Sequence, residues 1–388
     1  MIHSIVRILL IVSVAGCVSS SIYYLICLWS AIAFLRQPKA AGTTDLELPP
    51  VSILKPLKGI DPNIYDGFRS HCVQDYVAYE IIFGVSEADD PAVASVRRLQ
   101  QEFPNVEIQL VVCPEKLGAN VKVSNLEQMM RSARYEHMIV NDSDIRVKRD
   151  YLRRVSGPLG DPRVGVVTCL YRGIAAATLA SRLESLGIST DFCSGVLVAR
   201  QIEGGMRFGL GSTLAFRRAD LERAGGFKAF VDFLADDYEL GRRIADLGFE
   251  VRLSDVVVET HLPAYDFGGF WSHQLRWARG VRDARAGGYA GLIFTFGAMW
   301  AVLGLVASHG AAWAWAVAGA VVSLRIAVAL VVGRVVLQDR QVLKNLWLIP
   351  LRDLVAVAVW AASFAGHTVT WRGERFSLKN GRLIRNPS

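Results

Sequence analysis

Four clusters of charged and polar residues stand in order along one polar block of this chain: Asp89-Asp90, Asp142-Ser143-Asp144, Asp236-Asp237, and Gln274-Leu275-Arg276-Trp277 with Arg279. Paired carboxylates suit a hard divalent cation, and Mg²⁺ typically takes one or two of them and completes its shell with phosphate oxygens. A guanidinium neutralises charge developing on a diphosphate leaving group, and an indole offers a flat wall to a sugar or a lipid chain. Together the clusters point to metal-dependent transfer of a nucleotide-activated group. Each also has a plainer reading. Asp-Ser-Asp is common turn chemistry, and Asp89-Asp90-Pro91 suits the cap and first turn of a helix. Asp236 and Asp237 complement a helix dipole, and Arg276 with Trp277 suits an interfacial helix whose arginine snorkels. The company of the four clusters, and the place of Asp142 just beyond the apolar run 138–140, favour chemistry. In the polar run of Gly118, Asn120, Lys122 and Asn125, Lys122 is a candidate for a phosphate, against the plainer reading of a solvated side chain.

The elements that must position these residues alternate. Runs 51–54, 80–85, 106–112 and 137–140 have strand character, while 92–101 and 121–132 have helical periodicity. Such alternation predicts a parallel α/β sheet with helices on its faces. In open sheets of this kind ligands bind beyond the carboxyl ends of the strands. Asp89-Asp90 follow one such end and Asp142 another. Asp236 to Leu240 opens an amphipathic helix, and Gln274 to Trp277 falls in a second one just before the apolar carboxyl-terminal region.

Residues 5–35 are almost wholly apolar, longer than the ~20 that a spanning helix needs. A secretory leader has a short apolar core and a small-residue cleavage site, so retention as an anchor is expected. Val14-Ala15-Gly16-Cys17 does resemble a lipoprotein processing site, but the apolar stretch runs on past it. Three further apolar stretches cover 289–308, 311–336 and 347–366, the second carrying Arg325 and the third Arg352-Asp353. Charges at membrane depth pair or face a polar cavity, so the last stretch is read as partly interfacial or re-entrant. Basic residues gather after the anchor (Arg36, Lys39), between the second and third carboxyl-terminal stretches, and in the tail from Arg372. The positive-inside rule then puts the polar block and the tail on the cytoplasmic side, which three full carboxyl-terminal crossings would not allow.

A net charge of +7 with 52% hydrophobic residues fits lipid headgroups, since the basic excess sits beside the apolar segments; no nucleic acid is expected as a partner. The six cysteines form no Cys-x-x-Cys pair and no zinc-spaced cluster, so reduced structural thiols are expected.

In order, D, DSD, DD and QLRWARG resemble the pattern D, DxD, (E/D)D, QxxRW of GT-A glycosyltransferases in the family 2 superfamily. Val51 through Gly59 (VSILKPLKG), the run 118–126, Ala224-Gly225-Gly226-Phe227, Leu234 through Tyr238 and Trp371-Arg372-Gly373 resemble more closely the ceramide glucosyltransferases and their bacterial relatives, among them hopanoid glycosyltransferases. The likeness covers nearly the whole chain after the anchor and is specific to family rather than to substrate. It implies a GT-A, nucleotide-diphospho-sugar transferase domain with an amino-terminal transmembrane anchor and carboxyl-terminal membrane helices. The implied layout is an anchor at 1–36, a linker at 37–49, a cytoplasmic catalytic domain at 50–285, membrane segments at 286–370 and a basic cytoplasmic tail at 371–388. It further implies an inverting transfer of a hexose from a UDP-sugar to a membrane lipid, ceramide first and a hopanoid second, in a bacterial inner membrane. A processive polysaccharide synthase is disfavoured, because the few apolar segments are too small to enclose a polymer channel. A transporter would hold its charges at the bilayer midplane, and a noncatalytic scaffold has little need of all four clusters.

Carried over residue by residue, the resemblance has Asp90, with Asp89 beside it, contact the uridine part of the donor. Asp142 and Asp144 would hold a divalent metal, Mg²⁺ or Mn²⁺, on its diphosphate; Lys122, from its own position rather than from the resemblance, is a candidate on the donor side. Asp237 would be the catalytic base supported by Asp236, and Gln274, Arg276 and Trp277 would secure the donor diphosphate and the acceptor.

Overall fold

A computed structural model describes residues 2–37, 48–371 and 374–385. Most of the linker expected at 37–49, including Lys39, lies outside the described residues, as do Arg372 and Gly373. The chain divides into two compact units, one formed by 37–176, 199–263 and 381–388, the other by 1–36, 177–198 and 264–380. The division cuts across the block expected at 50–285. Residues 177–198 and 264–285 group with the apolar helices, because α-helical segments such as Leu179–Gly187 and Phe267–Ala284 present apolar side chains to them.

The first unit is built on an eight-stranded sheet. Strands β1 Val51–Pro56, β2 Tyr79–Val85, β3 Glu107–Val112 and β4 His137–Val140 pair in parallel in the order β3-β2-β1-β4. All six residues of β1 are buried, Ser52 and Lys55 among them, because both faces of a parallel sheet are covered. Fully burying side chains such as Val51, Ile53 and Leu54 contributes about 1.5–3 kcal/mol each. Helices Ala92–Glu102 and Val121–Met129 follow β2 and β3, as the periodicity predicts.

Beyond β4 the sheet is mixed rather than parallel. Its remaining strands are β5 Ile145–Arg146, β6 Val164–Ile174, β7 Leu214–Arg217 and β8 Glu250–His261, in the order β4-β7-β6-β8-β5. β7 runs antiparallel to β4, with Val140 opposite Leu214. β5 runs antiparallel to β8, with Ile145 opposite Thr260. Both reversals matter for the site. An antiparallel partner returns the residues before Leu214 to the carboxyl end of β4, and it brings Thr260 beside the residue that follows Ser143.

Among the described residues the second unit contains three helices long and apolar enough to cross a membrane, at His3–Leu35, Ala312–Val336 and Gln341–Ser363. A bent pair, Ala286–Thr295 and Gly297–Ala307, meets at 49° and makes a fourth if it is counted as one span. The amino-terminal helix is one continuous element, Ile2–Leu35. An ideal Cβ on Gly16 would lie 2.2 Å from Trp300 Cδ2, so this glycine makes room for the indole. Cys17, the next residue of the lipoprotein-like sequence, is buried. Among the described residues all six cysteines are buried and none is in a disulfide. The unit also carries a hairpin of β9 Thr368–Trp371 and β10 Glu374–Lys379.

Candidate active site

The sheet unit gathers three of the motif acids around one lysine. Asn141 follows β4, is fully buried, and donates through Nδ2 to Tyr151 Oη at 2.8 Å and to the Ser212 carbonyl at 2.7 Å. The next carbonyl, that of Asp142, accepts from Lys55 Nζ at 3.0 Å. Lys55 sits inside the apolar strand β1, where burial pulls its pKa down to about 8 against the opposing pull of Asp144 and Asp142. Ser143 Oγ donates to Asp61, and Thr260 Oγ1 donates to Asp144. The backbone and the side chains of Ser143 and Asp144 are thus held from inside the sheet unit, while the Asp142 carboxylate is 42% exposed and meets a cation.

Lys122 Nζ lies 2.8 Å from Asp142 Oδ1 and 3.2 Å from Asp236 Oδ2. Burial pulls the Lys122 pKa down, but Asp142, Asp236 and Asp237 together outweigh it and hold the ammonium above its ordinary range. Lys122 therefore stays charged and ties the second acidic cluster to the third. Its placement follows from Asn120, whose side chain caps helix Val121–Met129 by accepting from Val123 N–H at 3.2 Å. Asn120 Nδ2 also donates to the Phe233 carbonyl at 2.8 Å and to Asp236 Oδ1 at 3.3 Å.

Asp237 Oδ2 accepts the Gly211 N–H at 2.6 Å. Burial first, and the neighbouring charge of Asp236 second, raise the Asp237 carboxyl to about 6. A carboxylate so placed is ionised at neutral pH and a stronger base than an ordinary aspartate, which suits proton abstraction. Gly211 stands between two motif acids: a Cβ there would be 2.9 Å from Asp142 Oδ2 and 3.2 Å from Asp237 Oδ2. Sequence reading missed it, because nothing local marks Gly211; the antiparallel return of β7 puts it there. Thr260 was missed for the same reason. Gly211→Ala is expected to lower kcat/KM for the chemistry of this site by about ten-fold or more through displacement of these carboxylates, with a thermal melt near that of the unmodified protein. A fully active variant would show that the two acids need no such close approach.

Asp90 has a structural duty. Its two oxygens accept the Gly59 N–H at 3.1 and 3.0 Å, and Oδ1 also accepts the Ala92 N–H at 2.9 Å. It fastens the loop after β1 to the start of helix Ala92–Glu102, at a glycine whose φ of +72° favours the absence of a side chain. Asp89 is exposed.

In the apolar-helix unit, helix Phe267–Ala284 is capped by Asp266, which accepts the Gly269 N–H at 2.6 Å. Gln274 Oε1 accepts from Arg352 Nη1 at 3.0 Å. The Trp277 ring lies 5.8 Å from that of Phe192 and 5.5 Å from that of His273, and Arg276 is half-buried on the same helix. Arg279 donates to the carbonyls of Thr368 at 2.6 Å and Ala365 at 2.9 Å, so it fixes the segment that leaves the last apolar helix.

Among the described residues no group of three or more His, Cys, Asp or Glu is placed to hold a metal ion. The donor set nevertheless fits a cation whose remaining ligands are phosphate oxygens. Asp144 is raised to about 6, by burial first and then by the charge of Asp142, and two carboxylates that repel each other in this way are relieved by a divalent cation.

A mixed sheet with acids beyond the ends of its parallel strands, in a chain that also carries long apolar helices, has the GT-A glycosyltransferase fold. In agreement, the solved structure of the mannosyltransferase PcManGT from Pyrobaculum calidifontis, in complex with GDP-Man and Mn²⁺, matches with a TM-score of 0.55. The match is 20% identical in sequence and covers 92% of this chain and 99% of that one. The profile of Glycosyl transferase family 21 matches residues 12–384, and the chain belongs to that family. It is 29% identical over 249 residues to Ceramide glucosyltransferase 3 of Caenorhabditis elegans, covering 61% of this chain and 51% of the relative. It is 25% identical over 245 residues to Ceramide glucosyltransferase 1 of the same organism, covering 63% and 52%. The chain thus spans about half the length of these curated relatives.

Proposed function

We propose that this protein is an inverting membrane glycosyltransferase that moves a hexose from a UDP-sugar to a lipid hydroxyl, with UDP-glucose as donor and ceramide as acceptor. The observation that carries the reading is the bridge made by Lys122, which draws Asp142 of the DSD cluster and Asp236 of the DD pair to one ammonium. Structural turns and caps have no need to converge across 94 residues of sequence, the separation from 142 to 236.

In this reading Asp237 takes the proton from the acceptor hydroxyl as its oxygen forms the bond to the anomeric carbon, and the bond from that carbon to the UDP oxygen breaks on the opposite face. Gly211 N–H and the neighbouring Asp236 set the orientation and basicity of Asp237. Asp142 and Asp144 would hold a divalent cation, which would supply neutralisation of negative charge on the diphosphate. Lys122 adds a fixed positive charge on the same side, Asp90 meets the uridine part of the donor, and Gln274, Arg276 and Trp277 secure the diphosphate and the acceptor. In place of the last stretch, whose helix Gln341–Ser363 is long and apolar enough to cross, the bent helix pair is taken as the re-entrant segment; the two later helices then cross and leave the catalytic unit and the tail on the cytoplasmic side. The resemblance to bacterial members of the family is the ground for proposing a bacterial inner membrane as its location.

The stereochemistry is open to direct test. Proton NMR of the glycolipid made from an α-linked UDP-sugar is expected to show a β linkage, and an α-linked product would overturn the single displacement with Asp237 as base.

A further inference from the structure

Two of the apolar helices carry charges that belong to one network. Arg325, in Ala312–Val336, donates through Nη2 to Asp191 Oδ1 at 2.6 Å and to Asp353 Oδ1 at 2.8 Å. Arg352, in Gln341–Ser363, donates through Nε to Asp191 Oδ2 at 3.0 Å. Two cations and two anions balance, which meets the need of charges at membrane depth to pair. Arg325 and Arg352 are both buried. Asp191 sits on the π-helical turn Ile188–Phe192, a kind of irregularity often found at functional sites.

Charge balance does not require one further bond. Arg352 Nη1 reaches out of the network to Gln274 Oε1 at 3.0 Å. A guanidinium has donors only, so the amide atom facing it is the oxygen, and the Gln274 NH₂ group is turned away. A second feature serves the same arrangement. An ideal Cβ on Gly187 would lie 2.5 Å from Arg352 Nη2 and 2.6 Å from its Cζ. Only a glycine lets the guanidinium lie where it does, although position 187 is helical and an alanine would suit the helix better.

We propose that Arg352 is the positioning residue for Gln274. It takes the amide oxygen, presents the amide N–H groups as an oriented donor pair to an oxygen-rich ligand, and is itself held still by Asp191, Arg325 and Asp353. The inference rests on the transferase reading given above, with the donor diphosphate or the acceptor oxygen as the ligand.

The test is a double-mutant cycle on the full-length protein in detergent, using Gly187→Ala, Arg352→Lys and Gln274→Ala. G187A displaces the guanidinium without removing it. R352K keeps the charge opposite Asp191 but not the planar fork that spans two partners. Each is expected to lower kcat/KM by about ten-fold or more, while both keep a cooperative thermal melt, lowered because a buried charged pair is disturbed. Combined with Q274A, either should add little to the loss from Q274A alone, since residues acting through one contact are not additive. Full activity in G187A, or multiplicative losses in the double variants, would overturn the positioning role while leaving the transferase reading intact. An unmodified protein that neither binds UDP nor transfers a sugar would overturn that reading, and this inference with it.

Discussion

Asp237→Asn is expected to lower sugar transfer by about a thousand-fold, within the range that loss of a general base produces, while UDP affinity by calorimetry stays close to that of the unmodified protein. The asparagine keeps an oxygen for the Gly211 N–H, which Asp237 Oδ2 now accepts at 2.6 Å, so the geometry survives and only the basicity is lost. Stability should not fall. Burial and Asp236 raise the Asp237 carboxyl to about 6, which means the folded protein disfavours its charge, and a neutral isostere removes that cost. The pH dependence follows with the same sign: transfer should be full above about 6 and decline as pH falls through that value, because the protonated carboxyl accepts no proton. Transfer by D237N at an undiminished rate would exclude Asp237 as the base.

The second large effect concerns the metal. Exchanging Asp142 and Asp144 together for alanine is expected to weaken UDP-sugar binding by about 10²-fold or more in Mn²⁺, the scale of several kcal/mol that a cation supplies at a phosphoryl oxygen. In chelator the variant and the unmodified protein should bind with nearly equal weakness. Equal loss in both conditions would mean that the substitutions act through structure. That outcome has a definite source to examine, since removing Asp142 takes away the partner 2.8 Å from Lys122, and removing Asp144 takes away the acceptor of Thr260.

Much of this site was legible before any coordinates. Buried parallel strands announce themselves as apolar runs, so the residues following β4 could be placed at a strand end, and Asp142 with them. Lys122 was visible as a cation at the start of a helix, though not as the bridge it makes. Arg325 and Arg352-Asp353 were visible as charges in need of partners. The partner Asp191 was not, because it lies more than a hundred residues away on an irregular helical turn that leaves no periodic mark. Gly211 and Thr260 were hidden for a related reason. Each reaches the acids only because a later strand returns antiparallel, and β7 is four residues long, too short for its pattern to stand out. Asp90 shows the opposite case. The capping reading and the donor reading both fit the sequence; the hydrogen bonds to Gly59 and Ala92 establish the first, while contact with a nucleotide rests on the resemblance.

The measurement closest to the central claim is transfer by the detergent-purified protein from labelled UDP-glucose and UDP-N-acetylglucosamine. Each donor is offered ceramide, a hopanoid polyol or no lipid, with Mn²⁺, Mg²⁺ or chelator. The proposed function predicts a labelled glycolipid from UDP-glucose and ceramide, formed with metal and lost in chelator. A product from UDP-N-acetylglucosamine and the hopanoid would keep the class and replace both substrates. UDP-sugar binding with no lipid glycosylated under any condition would contradict lipid glycosylation itself.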